Sequence, residues 1–355
     1  MADFNVNHIT GKQGQQGTVL AGVTTVSSTG SMRIPSGPTE QRGGRGRGFF
    51  GGGYGASSPY PELNVIDMIE VATTGNATDF GDLTVGRTAN GMGCSSTRGL
   101  FAAGRFPGAN NDQNIIDYIT TSSGGGASDF GNLNNLPCSS TGFSDATRAI
   151  FAGGYDARTS PYPKSNAMSY VTIASTGGSS DFGDTVESGR RDTSFSNATR
   201  GFITGLETAA GDSKRIEMAT IQTKGNSIDF GELTGQASFA GNTQCNGGAS
   251  SQTRGIIFSG KSSPSAARNV IEYLTLASAG NAVNFGDIVN AGSNSGSGAC
   301  GNQIRGVVKT SSGTDGNILE YVTIATTGNT TDFGDLATGR RVYSSFCDAH
   351  GGLGE

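Results

Sequence analysis

The residues that could do chemistry in this sequence come round at a fixed beat. Asp-Phe-Gly, or a near copy, places its aromatic ring at Phe80, Phe130, Phe182, Phe230, Phe285 and Phe333, with carboxylates at Asp79, Asp82, Asp181, Asp184, Asp332 and Asp335. Upstream of each, an Arg-Gly kernel supplies Arg47, Arg98, Arg148, Arg200, Arg254 and Arg305. Carboxylates and arginines are the groups that a hydrolase or an anion site would need, but a working site needs residues that break the repeat, and a motif present six times is scaffold. The carboxylates are therefore expected to cap turns by accepting backbone amides. Arg98, Arg200 and Arg254 are expected to bond a blade carboxylate or carbonyl, the alternative being a ring of cations that binds an anion.

The metal-binding and redox residues are few. Two histidines, His8 and His350, sit in the terminal segments. Five cysteines, Cys94, Cys138, Cys245, Cys300 and Cys347, are odd in number, with no Cys-x-x-Cys, each in the Ser/Gly-rich stretch before a kernel. They form no disulfide framework and no zinc site; they read as small buried residues on inner strands, made in a reducing compartment. No catalytic residue, metal or cofactor is expected, and the chain is not expected to be an enzyme.

The elements that carry these residues follow from the period. Kernels spaced by about 50 residues indicate a repeat architecture in which no unit buries its faces alone. Each unit holds four strand-like runs. In the copy after Phe80 these are Arg87 to Thr97, Arg98 to Gly104, Asn114 to Thr121, and Ser128 to Leu133. The third run is apolar on both alternating faces, as expected of a strand covered on both sides. Clusters such as Thr74-Gly75-Asn76, Ala279-Gly280-Asn281 and Thr327-Gly328-Asn329 are hairpin-turn chemistry. With 59 Gly, no Trp and 34% hydrophobic residues, the core must come from many short strands. The expectation is an all-β, six-bladed β-propeller over residues 47–355, preceded by an extended N-terminal arm, residues 1–46. The repeat begins in a second strand at Arg47, and Gly339 to Cys347 supplies an unmatched inner strand, so the C-terminal strand is expected to complete the first blade and close the ring.

A net charge of -5 argues against nucleic-acid binding by the body of the protein. The start, Met1 to His8, has neither a basic nor an apolar signal region, and nowhere do 18 apolar residues run together, so no membrane insertion is expected. In the arm, the stretch containing Val19, Leu20, Val23 and Val26 has strand-forming composition but too few apolar residues to build a core, which suits a segment that orders against a partner. The loops between second and third strands of blades 1 to 3 carry aromatics beside proline: Tyr54 and Tyr60, Phe106, and Tyr155 and Tyr162. They are expected to share one face as rigid platforms for sugar rings or a partner protein, or else to cover the blade edges.

The repeat resembles the kelch family. Its second strand ends in Gly-Gly in Phe50-Gly51-Gly52 and Ala152-Gly153-Gly154, its third carries Glu272-Tyr273 or Glu320-Tyr321, and an arginine opens the inner strand at Arg87, Arg190 and Arg340. The kelch Trp is replaced by Phe, and only some copies keep both glycines. The kelch enzyme galactose oxidase uses two histidines for copper, and the terminal position of His8 and His350 gives that site no counterpart. The Asp-x-Gly turn is similar to the Asp box of sialidases without its closing Trp, and Asp-Phe-Gly to the metal-binding motif of protein kinases, which sixfold recurrence excludes.

Ile9 to Gly17, with Met32 to Arg42, resembles the heads of structural and fibre proteins of tailed phages, particularly those infecting marine cyanobacteria, and the Asp-Phe-Gly-Asp-Leu repeat is similar to propellers in those virions. This implies a noncatalytic virion component (tail fibre, neck or tail appendage, or capsid decoration), made in the host cytoplasm and anchored to other virion proteins by residues 1–46. The propeller would be displayed toward a protein or a host-surface glycan, with homo-oligomerisation open. The alternatives are a free-standing propeller lectin or glycan-active enzyme and, third, a cellular kelch adaptor.

Overall fold

The computed structural model describes residues 46–353 except 56–60, 89–90, 107–112, 135–137, 157–160, 162, 191–192, 235–246, 259–260, 263–265, 268, 291–297, 311–315 and 342–343, and in the arm residues 25–26 and 32–33. The chain forms two compact units, Met1–Gln41 and Arg42–Glu355. In the first, Thr25–Val26 pairs antiparallel with Met32–Arg33. Val19, Leu20 and Val23 lie outside the described residues.

The second unit is a six-bladed β-propeller of four-stranded antiparallel sheets. Blades 2 to 6 take their strands in chain order from the axis outward, and blade 2 reads Gly91–Cys94, Arg98–Ala102, Ile115–Thr120 and Ser128–Asn132. Blade 1 has Arg47–Gly51, Val65–Glu70 and Thr78–Asp82, and receives Ser344–Cys347 as its inner strand, so the ring closes as the unmatched strand requires. The strands form where they do because each presents apolar groups to a neighbouring blade. The six large buried clusters each draw residues from two adjacent blades; one joins Ile116 and Phe130 of blade 2 to Phe151 and Val171 of blade 3. A single blade would leave half of every cluster in water, which makes the ring the cooperative unit.

The Asp-Phe-Gly motif is the joint between blades. In all six outer strands the ladder skips a residue at the Phe, a bulge that leaves it unpaired and packs its ring between blades. The same Phe carbonyl accepts the amide of the turn glycine in the next blade: Gly125 to Phe80 at 2.9 Å, Gly177 to Phe130 at 2.7 Å, Gly225 to Phe182, Gly280 to Phe230 and Gly328 to Phe285 at 2.9 Å each, and Gly75 to Phe333 at 2.8 Å. The motif glycine permits this approach. Gly131 has φ +146°, and a Cβ there would sit 2.3 Å from the Gly177 carbonyl oxygen. At four junctions the turn asparagine adds another bond, as when Asn329 Oδ1 accepts the Asp287 amide at 3.0 Å. The Gly-Asn clusters are thus hairpin turns that also clamp the preceding blade. The expected capping role passes largely to backbone and asparagine: Asp79, Asp82, Asp181, Asp184 and Asp332 are exposed, and the motif carboxylate seen capping its own turn is Asp129, on the Gly131 amide.

The kernel arginines staple the same joints. Arg98 donates to the Ile173 carbonyl, Arg148 to Ile221, Arg200 to Leu276 and Ala277, Arg254 to Ile324 and Ala325, and Arg305 to Val71 and Ala72, each one blade onward. Arg98, Arg148, Arg254 and Arg305 also lie 4.4–4.7 Å over Tyr118, Tyr170, Tyr273 and Tyr321 of their own blades. Carbonyl bonding to the next blade, the first of the two expectations, is what these arginines show. Blades 1 and 4 have Met68 and Met218 in place of that tyrosine, and there Phe49 and Phe202 on the second strand meet the motif Phe edge-to-face at 5.0 Å. One aromatic contact to the motif Phe is kept in every blade.

Candidate functional site: a polar cavity on the axis

The inner strands are mostly Ser, Gly, Thr, Ala and Cys, with a Phe in three of them, because six must converge. Their hydroxyls link neighbours around the axis: Ser144 donates to the Cys94 carbonyl at 2.9 Å, Ser196 to Ser144 at 2.7 Å, Ser250 to Ser196 at 2.7 Å and Ser345 to Ala299 at 2.9 Å. One end of the axis is occupied by the chain itself. After the inner strand of blade 1, Asp348 caps the amides of Gly46 and Arg47 at 2.9 and 2.8 Å, and a 3-10 turn, Gly351–Leu353, is buried between blades. His350 Nε2 donates to the Cys94 carbonyl at 2.8 Å while its Nδ1 accepts the Gly352 amide at 3.0 Å, which fixes the neutral tautomer; burial pushes its pKa below the usual histidine value. Gln303 and Gln252 hold the carbonyls of His350 and Gly351.

Above this plug is a cavity of about 240 Å3. Its wall is made by the inner strands, and its rim by a position that breaks the repeat. After the second strand of blades 1 to 4 the chain turns through a left-handed residue, Gly52, Ala103, Gly153 or Gly205, with φ from +59° to +73°. The residue two further on, seven beyond the kernel arginine, is Tyr54, Arg105, Tyr155 and Glu207 in blades 1 to 4. These positions pair with Arg341, Thr88, Cys138 and Arg190 just before the inner strands, and Tyr54, Arg105 and Tyr155 line the cavity.

The rim is cross-braced. Arg105 Nη2 donates to the Tyr155 hydroxyl at 3.1 Å, and Arg190 lies 4.4 Å over the Tyr155 ring while bonding Glu207 through Nε at 3.0 Å and Nη2 at 2.8 Å. Lys164 Nζ reaches the same Glu207 at 3.2 Å. Burial first, with the neighbouring Cys138, pushes the Tyr155 phenol up to about 12 against the pull of Arg105 and Arg190; burial likewise raises Tyr54. Both stay neutral hydrogen-bonding groups. Cys94, Cys300 and Cys347 lie at the base as buried thiols pushed up by burial, and Cys138 is buried at the rim, in line with the small-residue reading; Cys245 lies outside the described residues. Among the described residues no group of three His, Cys, Asp or Glu is placed to hold a metal, and no helix is long and apolar enough to cross a membrane.

Two of the expected platforms are corrected. Phe106 is 5% exposed with Arg87 over its ring at 5.5 Å, and Tyr155 is 8% exposed, so neither offers an open aromatic face. Tyr54 is half-buried at the cavity, and Tyr60 and Tyr162 lie outside the described residues. The residue that belongs with Tyr54 and Tyr155 is Arg105, not Phe106, a register visible once the copies are counted from the kernel arginine. Ser140 was also missed: the residue lines the cavity, while its hydroxyl is buried without a partner. The chain matches no protein-family model, and no curated protein matches it.

Proposed function

We propose that this chain is a noncatalytic virion protein that displays a propeller through an N-terminal arm, its open axial face turned toward a partner protein or a host-surface glycan. The observation that carries the binding role is the contrast between scaffold and rim. The kernel arginines and the Phe carbonyls of Asp-Phe-Gly make blade-to-blade bonds, whereas the residue seven beyond the kernel changes from Tyr to Arg to Tyr around one cavity and is Glu207 in the fourth blade. A scaffold that repeats and a rim that does not is the arrangement by which a rigid fold presents individual contacts. The virion assignment is supported by the resemblance of Ile9 to Gly17 and Met32 to Arg42 to the heads of phage structural proteins, and the arm supplies the attachment.

The test is incorporation. A variant beginning at Arg42 is expected to fold as a propeller but to be missing from purified particles, while the full chain is present and its arm protected from protease there. Incorporation of the shortened protein at the normal level refutes the anchoring role and favours the runner-up, a free-standing lectin or glycan-active enzyme.

A further inference from the structure

The inner strand of blade 1 ends at Cys347, and Asp348 to Leu353 then cross the end of the axis. Gly351 and Gly352 lie against the inner strands of blades 3, 4 and 5, at Ser144, Ser196 and Ser250. His350 ties this turn to the ring from within. Its Nε2 donates to the Cys94 carbonyl at 2.8 Å, and its Nδ1 accepts the Gly352 amide at 3.0 Å. One nitrogen must carry a hydrogen and the other must not, which the neutral imidazole alone provides. Gln252 holds the Gly351 carbonyl, so His350 and Gln252 clamp the two ends of one peptide unit. That unit has no room to turn away: a Cβ on Gly352 would stand 2.6 Å from the Ser196 hydroxyl and 2.7 Å from His350 Cε1.

A proton can reach the ring, because His350 is partly exposed and lines the cavity. The groups around it are already engaged or neutral. Asp145, just after the inner strand of blade 3, accepts the Thr147 and Arg148 amides at 2.7 and 2.8 Å and the Gln222 side chain. Asp348, on the same segment as His350, caps the Gly46 and Arg47 amides, with Arg47 Nε 3.9 Å away. The strands Thr193–Ser196 and Gly248–Ser250 bring no titratable group, and burial keeps the Cys94 and Cys347 thiols protonated.

We propose that His350 is an acid-operated latch: once protonated, its Nδ1 carries a hydrogen that faces the Gly352 amide, and the turn Gly351–Leu353 swings off the axis and opens the floor of the cavity. The device is independent of the arm and of any ligand at the rim. Its sign follows from the two states of the turn. Released, the imidazole regains about its ordinary value of 6.5; latched, burial holds it lower. Acid therefore favours release below about pH 6.5, by up to about thirtyfold at about pH 5.

The experiment is amide hydrogen exchange of the full-length protein at Gly351–Leu353, with the imidazole NMR signals followed over the same pH range. The chain has two histidines, and His350→Gln identifies which signal belongs to the latch. After correction for the intrinsic pH dependence of exchange, protection of Gly352 and Leu353 is expected to fall on the order of tenfold between about pH 7.5 and 5, in step with the His350 titration. The Gly125 and Gly177 amides, which bond the Phe80 and Phe130 carbonyls between blades, are expected to keep their protection. His350→Gln, which takes up no proton, is expected to show the same corrected protection of the turn at both pH values. The proposal is overturned by protection that persists at about pH 5, by a His350 ring that stays neutral there, or by an equal acid-dependent loss in His350→Gln. Simultaneous loss at Gly125 and Gly177 also overturns it, because the whole ring would then be opening.

Discussion

The Gly75 amide donates to the Phe333 carbonyl at 2.8 Å, so the seam between the last blade and the first is made by the same bond as the five other junctions. The ring therefore has no weaker joint in its outer layer. What distinguishes the seam lies inside, where the strand that completes blade 1 comes from the far end of the chain.

Removing that strand should open the ring. A chain ending at Leu336 loses Ser344–Cys347, the Arg340 bonds and the axial plug, and leaves the edge of Arg47–Gly51 and the axial face unpaired. It is expected to aggregate, or to melt far below the parent by calorimetry. A monomer with an unchanged melting temperature would contradict the closure.

The blade clamp can be separated from backbone strain by two substitutions. Gly131→Ala and Gly125→Ala both place a side chain at positive φ, +146° and +139°, but the new Cβ meets the Gly177 carbonyl at 2.3 Å in the first and nothing within 4 Å in the second. Chemical denaturation should show Gly131→Ala less stable than Gly125→Ala by about 1–3 kcal/mol, the usual cost of overpacking. Equal losses would mean that the close approach is not required.

The buried pair Arg340–Asp67, at 2.6 Å with both side chains fully buried, fixes the start of the closing strand to blade 1. Burial outweighs the Arg340 attraction and raises Asp67 above the usual carboxylate value, so the pair is held at a desolvation cost. Arg340→Met alone strands a buried carboxylate and should lose about 3–5 kcal/mol, whereas adding Asp67→Leu should return most of it. A double variant as unstable as the single one would show that the arginine acts mainly through its carbonyl bonds to Phe50 and Gly52.

The plug should make stability pH-dependent. Burial depresses His350 below 6.5, against the Cys94 carbonyl bond and Asp145, which raise it. Below about pH 6.5 the unfolded chain takes up a proton that the folded chain refuses, so stability present above that pH is lost as pH falls toward the depressed value. Between about pH 7.5 and 5.5 the parent's melting temperature should fall more steeply than that of His350→Gln. Parallel curves would show that the histidine carries no linkage.

Much of the fold was legible because it is written locally and repeatedly. Six copies of Arg-Gly and Asp-Phe-Gly, each bracketing short runs with turn glycines, determine the number of blades and the strand order, and the unmatched Gly339 to Cys347 determines how the ring closes. Even the exchange of Tyr for Met at Met68 and Met218, answered by Phe49 and Phe202, can be read by aligning the repeat with itself. What only the tertiary structure decided concerns partners one blade away. The Arg98 staple on Ile173, the Gly131 approach to Gly177 and the burial of Phe106 and Tyr155 depend on the distance and tilt between blades, which no single repeat encodes. The cavity belongs to that second class. Tyr54, Arg105, Tyr155 and Ser140 are far apart along the chain and unlike in chemistry, and they become one surface only because ring closure brings successive blades around a common axis.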